Sequence, residues 1–272
     1  MTWHRAKILR RWQLSPKVTG ISLQLTDSMN AEFAFVPGQW LDFKPLPSST
    51  WSPPERQNIG GYSMTSTPSN LPLVDLAIQT SRHPVASWAC AESKVGDLID
   101  IRVGGTFVYK GGGGRSGEPE RKPRRILFAA GGVGINPLFS MIKQWHEDDD
   151  DGGDSRAVLL YSCKQRQDFL FLDDIEKMLV TESRLRVVCT TTADDVARNR
   201  KTDEQSAIVF RHGRIDLGLI HDSSSWLNHG EDESKVDKVF VCGPPGMAES
   251  LEEALVSNKI AQKDDILFEK WW

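Results

Sequence analysis

Ile126-Leu127-Phe128-Ala129-Ala130-Gly131-Gly132-Val133-Gly134-Ile135-Asn136-Pro137 is the stretch on which the fold of this 272-residue chain turns. Its first five residues form a short, continuously apolar run, as expected for a strand buried on both faces of a parallel sheet. Leu138, Ile142 and Trp145 then follow at helical spacing. Between strand and helix stand Gly131, Gly132, Val133, Gly134, Ile135 and Asn136, with Pro137 suited to a first helical turn. Side-chain-free residues at such a turn let the backbone approach a pyrophosphate, while the helix start directs unsatisfied N–H groups and a positive dipole end at it. Pro137 stands where the third glycine of G-x-G-x-x-G would be, so placement between strand and helix, more than the pattern, carries the reading. A plain tight turn is the alternative.

The same alternation continues toward the C-terminus. Val158-Leu159-Leu160-Tyr161, Leu185 to Cys189, Val239 to Cys242 and Ile266-Leu267-Phe268 read as further strands. Phe169, Leu172, Ile175 and Leu179 line one face of a helix, and Met247, Leu251 and Leu255 mark another. Strands alternating with helices predict a doubly wound α/β domain with a parallel sheet over residues 125–272. A second strand-to-helix turn, Cys242-Gly243-Pro244-Pro245-Gly246-Met247, falls near the end of that sheet. Ligands of open α/β sheets bind outside the carboxyl ends of the strands, so both turns are expected to face one crevice. Cys242 has no His or Cys partner at metal-ligand spacing and reads as a packing thiol beside a cofactor ring.

The first 110 residues are of another kind. Val36 to Phe43 and Leu73 to Thr80 alternate with period two between Pro, Gly and Asn punctuation, and Asp100 to Val103 leads into Gly104-Gly105-Thr106-Phe107. Several short strands at this spacing predict an antiparallel β-barrel. Residues 111–124, rich in Gly and charge, read as a linker between the two domains. In the barrel, Gly60-Gly61-Tyr62-Ser63-Met64-Thr65-Ser66 offers an aromatic face and hydroxyls suited to a polar heteroaromatic ring, or else an ordinary exposed strand. His83-Pro84-Val85-Ala86-Ser87-Trp88 opens a helix whose N–H groups and Ser87 hydroxyl suit a second phosphate.

Composition narrows the classes. With 33 Lys+Arg against 37 Asp+Glu and a pI near 5.9, the chain is not a broadly basic nucleic-acid binder. No apolar run approaches the roughly 18 residues that span a bilayer, so a soluble protein without a membrane span is expected. Cys90, Cys163, Cys189 and Cys242 are scattered, which favours reduced thiols in an intracellular compartment. Residues 1–26 carry five Lys and Arg and no acid, resembling a mitochondrial presequence in charge. Against that, Gly20 to Thr26 alternates as a strand would.

Taken in order, Pro37-Gly38-Gln39, the GGYSMTS run, the HPVASW helix, GGTF, GGVGINP, CGPPGM and the terminal Phe268-Glu269-Lys270-Trp271-Trp272 resemble the ferredoxin–NADP reductase superfamily over nearly the whole chain. The run GGVGINP and the FEKWW ending are similar to the branch of oxidoreductase NAD-binding-domain-containing proteins. The resemblance implies an N-terminal FAD-binding barrel and a C-terminal NAD(P)H-binding domain. Hydride would pass from nicotinamide to FAD, and electrons then to an external acceptor, small molecule or redox protein, whose identity is not written in the sequence. Tyr62 would stack on the flavin, and Ser63 would hydrogen-bond near its reactive nitrogen. Gly60, Gly61, Met64, Ser66, Ile78 and Ser87 would complete the flavin site, with Ser87 near the phosphates. Gly131 to Asn136 would hold the dinucleotide pyrophosphate, Ser162 and Lys164 would flank its ribose end, and Gly243, Pro244 and Met247 would line the crevice. Cys242 would flank the nicotinamide, and Trp272 or its neighbour Trp271 would cover the flavin face. No clustered cysteines for an iron–sulfur centre and no metal ligand set are expected.

One departure stands out. The superfamily's flavin motif is commonly Arg-x-Tyr-Ser, and here Gly60 occupies the Arg position, which removes a charge-assisted phosphate contact. Arg56 or Arg82 would have to substitute; otherwise the chain would be a non-catalytic NAD(P)-binding sensor or interaction protein. A flavin-free dehydrogenase is weaker, since no proton-transfer partner is evident at the crevice. Lys164 and Arg166 suit a 2′-phosphate, whereas Thr190-Thr191-Thr192 in place of a Ser-Arg pair leans toward NADH. A monomer is expected, mitochondrial by the resemblance and cytoplasmic if no presequence is processed.

Overall fold

The computed structural model describes residues 2–26, 32–46, 58–111, 123–148, 154–193, 207–229 and 235–270. The chain divides into two compact units, Met1–Lys110 with Asn136–Trp145, and Gly111–Ile135 with His146–Trp272.

In the first unit, strands β1 (His4–Ser15), β2 (Val18–Leu25), β3 (Trp40–Pro45), β4 (Gly60–Ser63), β5 (Leu73–Gln79) and β6 (Leu98–Gly104) form one antiparallel sheet, with α1 (Pro84–Ala91) beside it. The order is β4-β3-β6-β1-β2-β5. A bridge between Met64 and Leu76 joins its two edges, reinforced by the Thr65 N–H donating to the Asp75 carbonyl at 2.8 Å. This closes the sheet into a barrel and removes its open edges. Ile8, Ile21, Leu23, Leu41, Phe43, Leu76, Ile78, Ile99 and Ile101 are buried in one core.

The basic N-terminal stretch is part of this sheet. Strand structure begins at His4, well before the expected Gly20, and β1 lies between β2 and β6, with Ala6 opposite Leu25 and His4 opposite Ile101. His4, Ala6 and Ile8 are buried, whereas Arg5 and Lys7 are only part-buried on the other face. The period-two signal was therefore present but diluted by cations.

The second unit holds β7 (Arg125–Gly131), β8 (Arg156–Cys163), β9 (Leu185–Thr191), β10 (Val209–His212), β11 (Lys238–Gly243) and β12 (Ile266–Lys270), paired in parallel in the order β10-β9-β8-β7-β11-β12. Helices α3 (Leu172–Thr181), α4 (Leu217–Leu227) and α5 (Pro245–Ser257) belong to this unit. Helix α2 (Ile135–Asp148) begins there, and its residues Asn136–Trp145 count with the barrel. Leu138, Ile142 and Trp145 are fully buried, as their spacing predicts. Phe169 is not on α3; it precedes that helix and packs edge-on against Tyr161 at 4.8 Å. Among the described residues no helix is long and apolar enough to cross a membrane.

One buried carboxylate ties α2 to the chain before β9. Glu182, 4% exposed, accepts from Arg184 Nη2 at 2.7 Å and stands 3.2 Å from His146 Nδ1. Burial alone would push this carboxyl up, but the Arg184 guanidinium and backbone and the His146 ring hold it below its ordinary value. A depressed carboxyl contributes stability that is present above its unfolded-state pKa and lost as pH falls through the folded one. Glu182→Gln is therefore expected to cost about 1–3 kcal/mol at pH 7. The difference from wild type should shrink below about pH 4, which urea unfolding at both pH values would measure.

Candidate functional site

The parallel sheet reverses its winding between β7 and β11. From β7 the chain proceeds outward to β8, β9 and β10, then returns to β11 on the other side. Such a switch point leaves a crevice at the carboxyl ends of the two adjacent strands. Ala130 is paired with Cys242, so the turns that follow leave the sheet side by side. After Gly131 come a tight turn, Gly132–Gly134, and the start of α2 at Ile135.

Glycine is needed here for two separate reasons. A Cβ on Gly134 would collide with the Cys242 carbonyl oxygen and lie 2.5 Å from its carbon, so only bare backbone fits. Gly132 has φ +54, a left-handed conformation that costs other residues about 1–2 kcal/mol, and the space beside it is open. Gly131 and Gly243 also approach each other closely, with Met247 Sδ and Pro244 against Gly131. The result is a glycine-rich, part-buried stretch of main chain leading into a helix start.

Around it, Ile135 and Cys242 are buried, and Val133 and Ser162 are half-buried. Cys163, the last residue of β8, is buried, and burial pushes its thiol up to about 12, so it is no nucleophile at neutral pH. Lys164 is exposed just beyond it. On the neighbouring strand end, Thr190 is buried and its hydroxyl has no hydrogen-bond partner among the described residues.

Asn136 is placed differently from the residues it was grouped with. Within the first unit its amide donates to the Ala77 carbonyl at 2.8 Å, and the Ser140 hydroxyl donates to the Ser66 carbonyl at 2.6 Å. These bonds fasten α2 residues to β5 and to the segment closing the barrel. Ser66 itself is buried, and its hydroxyl accepts from the Asp75 N–H at 3.0 Å. Met64 and Ile78 are fully buried in the barrel core, which leaves only their main chain to meet a ligand.

On β4, Gly60 and Gly61 lie opposite Phe43 and Asp42, Tyr62 opposite Leu41, and Ser63 opposite Trp40. The Tyr62 ring meets Phe43 edge-on at 5.7 Å and lies across Gly60, where a Cβ would stand 2.5 Å from the phenol oxygen. Burial, with the Cys90 thiol nearby, pushes the Tyr62 phenol well above its ordinary value, so it remains a neutral hydrogen-bond donor. Ser63 is buried; Ser87 and Arg82 are exposed. Arg56, Trp271 and Trp272 lie outside the described residues. Sequence reasoning missed Trp40, whose ring covers Gly104 and Gly105, with Cβ positions there falling 2.7 and 2.8 Å from it. The Gly-Gly pair was the available signal.

An antiparallel barrel followed by an all-parallel doubly wound sheet, with paired turns at its switch point, defines the two-domain fold of ferredoxin–NADP reductases. The chain matches the FAD/NAD-binding domain of a nitric oxide dioxygenase from Vibrio cholerae O1 biovar El Tor with a TM-score of 0.71 at 16% identity, over 98% of each chain. It matches a ferredoxin NADP+ reductase from Neisseria gonorrhoeae, solved with FAD and NADP, with a TM-score of 0.68 at 16% identity, over 100% of each. The model of the oxidoreductase NAD-binding domain matches residues 128–253. Over 95% of this chain and 77% of its relative, the sequence is 30% identical to Oxidoreductase NAD-binding domain-containing protein 1 of Bos taurus. The chain belongs to that family of oxidoreductase NAD-binding domain-containing proteins.

The switch-point contact yields a direct prediction. Gly134→Ala should destabilise the protein by about 1–3 kcal/mol through overpacking. Gly246→Ala in α5, where nothing lies within 4 Å of the added Cβ, should leave stability unchanged or raise it by up to about 1 kcal/mol. Thermal unfolding of the two variants beside wild type separates these outcomes.

Proposed function

We propose that the chain is a flavin-dependent NAD(P)H oxidoreductase that passes hydride from nicotinamide to FAD and electrons onward to an external acceptor. The observation that carries this is the bare-backbone turn Gly131–Gly134, seated against Cys242 and Gly243 where the parallel sheet reverses. FAD, when bound, supplies the hydride-accepting and electron-releasing chemistry, so the side chains need only bind, orient and exclude water. Gly131 and Gly132 with the α2 start would receive the pyrophosphate. Asn136 donates its side-chain N–H to the Ala77 carbonyl within the first unit. Buried Cys242 would close the nicotinamide pocket as a packing group, and Trp272 would cover the flavin face.

In the barrel, Tyr62 would present its ring for stacking, with Ser63 beside it as a hydrogen-bonding group. Its partly exposed aromatic ring suits a flat heteroaromatic group. The α1 start around Ser87 would take the flavin phosphates without help from position 60. Exposed Lys164 would lie toward the ribose, while the Thr190–Thr192 strand end offers no cation and favours NADH.

The second reading, a non-catalytic NAD(P)-binding sensor, is favoured by one observation: Tyr62 fills the space beside Gly60, where the resemblance expects an arginine. Flavin occupancy separates the two readings. The visible spectrum of gently purified protein, recorded before and after adding FAD and then with NADH or NADPH under anaerobic conditions, should show a bound flavin band that bleaches, faster with NADH. Absence of a bound band together with no oxidation of either nucleotide overturns the reductase reading. In the same assay Tyr62→Leu should weaken FAD retention about two- to tenfold.

A further inference from the structure

At the amino-terminal edge of the parallel sheet, far from the glycine turns, there is a second pocket of about 460 Å³ lined by Arg156, Arg186, Asp222, Ser225, Trp226 and His229. Arg156 opens β8 and Ser162 is near its end, so six residues of strand, roughly 20 Å, separate this pocket from the switch point. Nothing in the reductase reading uses it.

The pocket is assembled by register. Val158 is paired with Arg186, and side chains alternate along a strand, so Arg156 and Arg186 project from the same face as Val158 and Val188. That face is covered by α4, whose Leu219, Ile220 and Leu227 pack with Val158, Leu160 and Val188. Below this apolar layer α4 turns Asp222, Ser225 and Trp226 toward the two arginines.

The charges do not cancel. The Arg156 guanidinium is fixed, donating from Nη1 to the Trp226 carbonyl at 2.8 Å and lying 4.7 Å from the centre of the Trp226 ring. Asp222 is already shared with Arg211 at 3.3 Å. His229 stands 3.9 Å from Asp154, which Arg125 also contacts at 3.1 Å. Arg186 is half-buried, and its guanidinium takes part in no hydrogen bond or ion pair among the described residues. A guanidinium carries five donors in a planar fork, and those of Arg186 remain open to solvent and available to an oxyanion.

We propose that this pocket is a binding site for a small organic dianion, a phosphomonoester or a dicarboxylate, held by the paired guanidiniums of Arg156 and Arg186 and by the Ser225 hydroxyl, with Trp226 as its apolar wall. Two arginines from adjacent strands match two negative oxygens, and the volume falls in the range of small-molecule sites. The site depends on the second unit alone and stands whether or not the chain binds flavin.

Titration calorimetry of the full chain at low ionic strength tests it, with glycerol phosphate as the phosphomonoester probe and succinate as the dicarboxylate probe. Saturable binding of at least one probe is expected, and the probe preferred identifies the source of the oxyanion. Arg186→Gln should weaken it about tenfold. Ser225→Asp, an exposed helix position that leaves both arginines in place, should weaken it comparably by repulsion and serves if the first variant unfolds, as circular dichroism would reveal. Lys164→Gln, at the other end of the strand, should have no effect. No saturable binding of either probe, or binding that survives both pocket variants, overturns the proposal. Weakening by Lys164→Gln alone would assign the anion to the glycine turn instead.

Discussion

The close approach of the Gly134 backbone to the Cys242 carbonyl is the constraint around which the second unit is arranged. Strands β7 and β11 are paired in register up to Ala130 and Cys242, so the turns that leave them occupy the same few ångströms. A side chain at Gly134 would collide there. With Gly134 bare, α2 begins directly beside the turn that leaves β11. The phosphate site proposed there would thus be a by-product of how two parallel crossovers from opposite directions are packed.

The barrel uses glycine with a different partner. Tyr62 lies flat across Gly60, and Trp40 covers Gly104 and Gly105. In the parallel sheet bare backbone admits a neighbouring backbone; in the barrel it admits an aromatic ring. Gly60 therefore has a steric function of its own, and the missing arginine of the related motif is bound up with where the tyrosine ring rests. The hydroxyls of Ser66 and Ser140 and the Asn136 amide nitrogen are engaged by backbone partners, so these polar groups hold the first unit together.

Much of the architecture could be read from residue order, because buried parallel strands are apolar runs, unbroken over the centres of β7, β8 and β11 and interrupted in β9 by Arg186. What escaped has local causes. β1 was obscured by the cations on its outer face. β10 is four residues long and mostly exposed. α4 contains Ser223-Ser224-Ser225, which resembles a loop, yet Asp216 caps it by accepting from the Leu219 N–H at 2.8 Å. At the site, the glycines were legible because their position between strand and helix has a mechanism. The duties of Asn136 and Ser140 were not, since their partners lie 59 and 74 residues away. The Arg156 and Arg186 pair was equally hidden, because only strand register brings them to one face.

The place of β1 in the barrel has a consequence for how the protein is made. β1 is an interior strand of the sheet, and one of its two neighbours, β6, pairs His4 with Ile101. At roughly 5–20 residues per second of synthesis, about 5–20 seconds pass between the emergence of these two partners from the ribosome. Throughout that interval one edge of β1, with the apolar side chains of Ala6 and Ile8, has no strand to cover it. The moment at which that edge is covered is therefore set by the topology of the sheet.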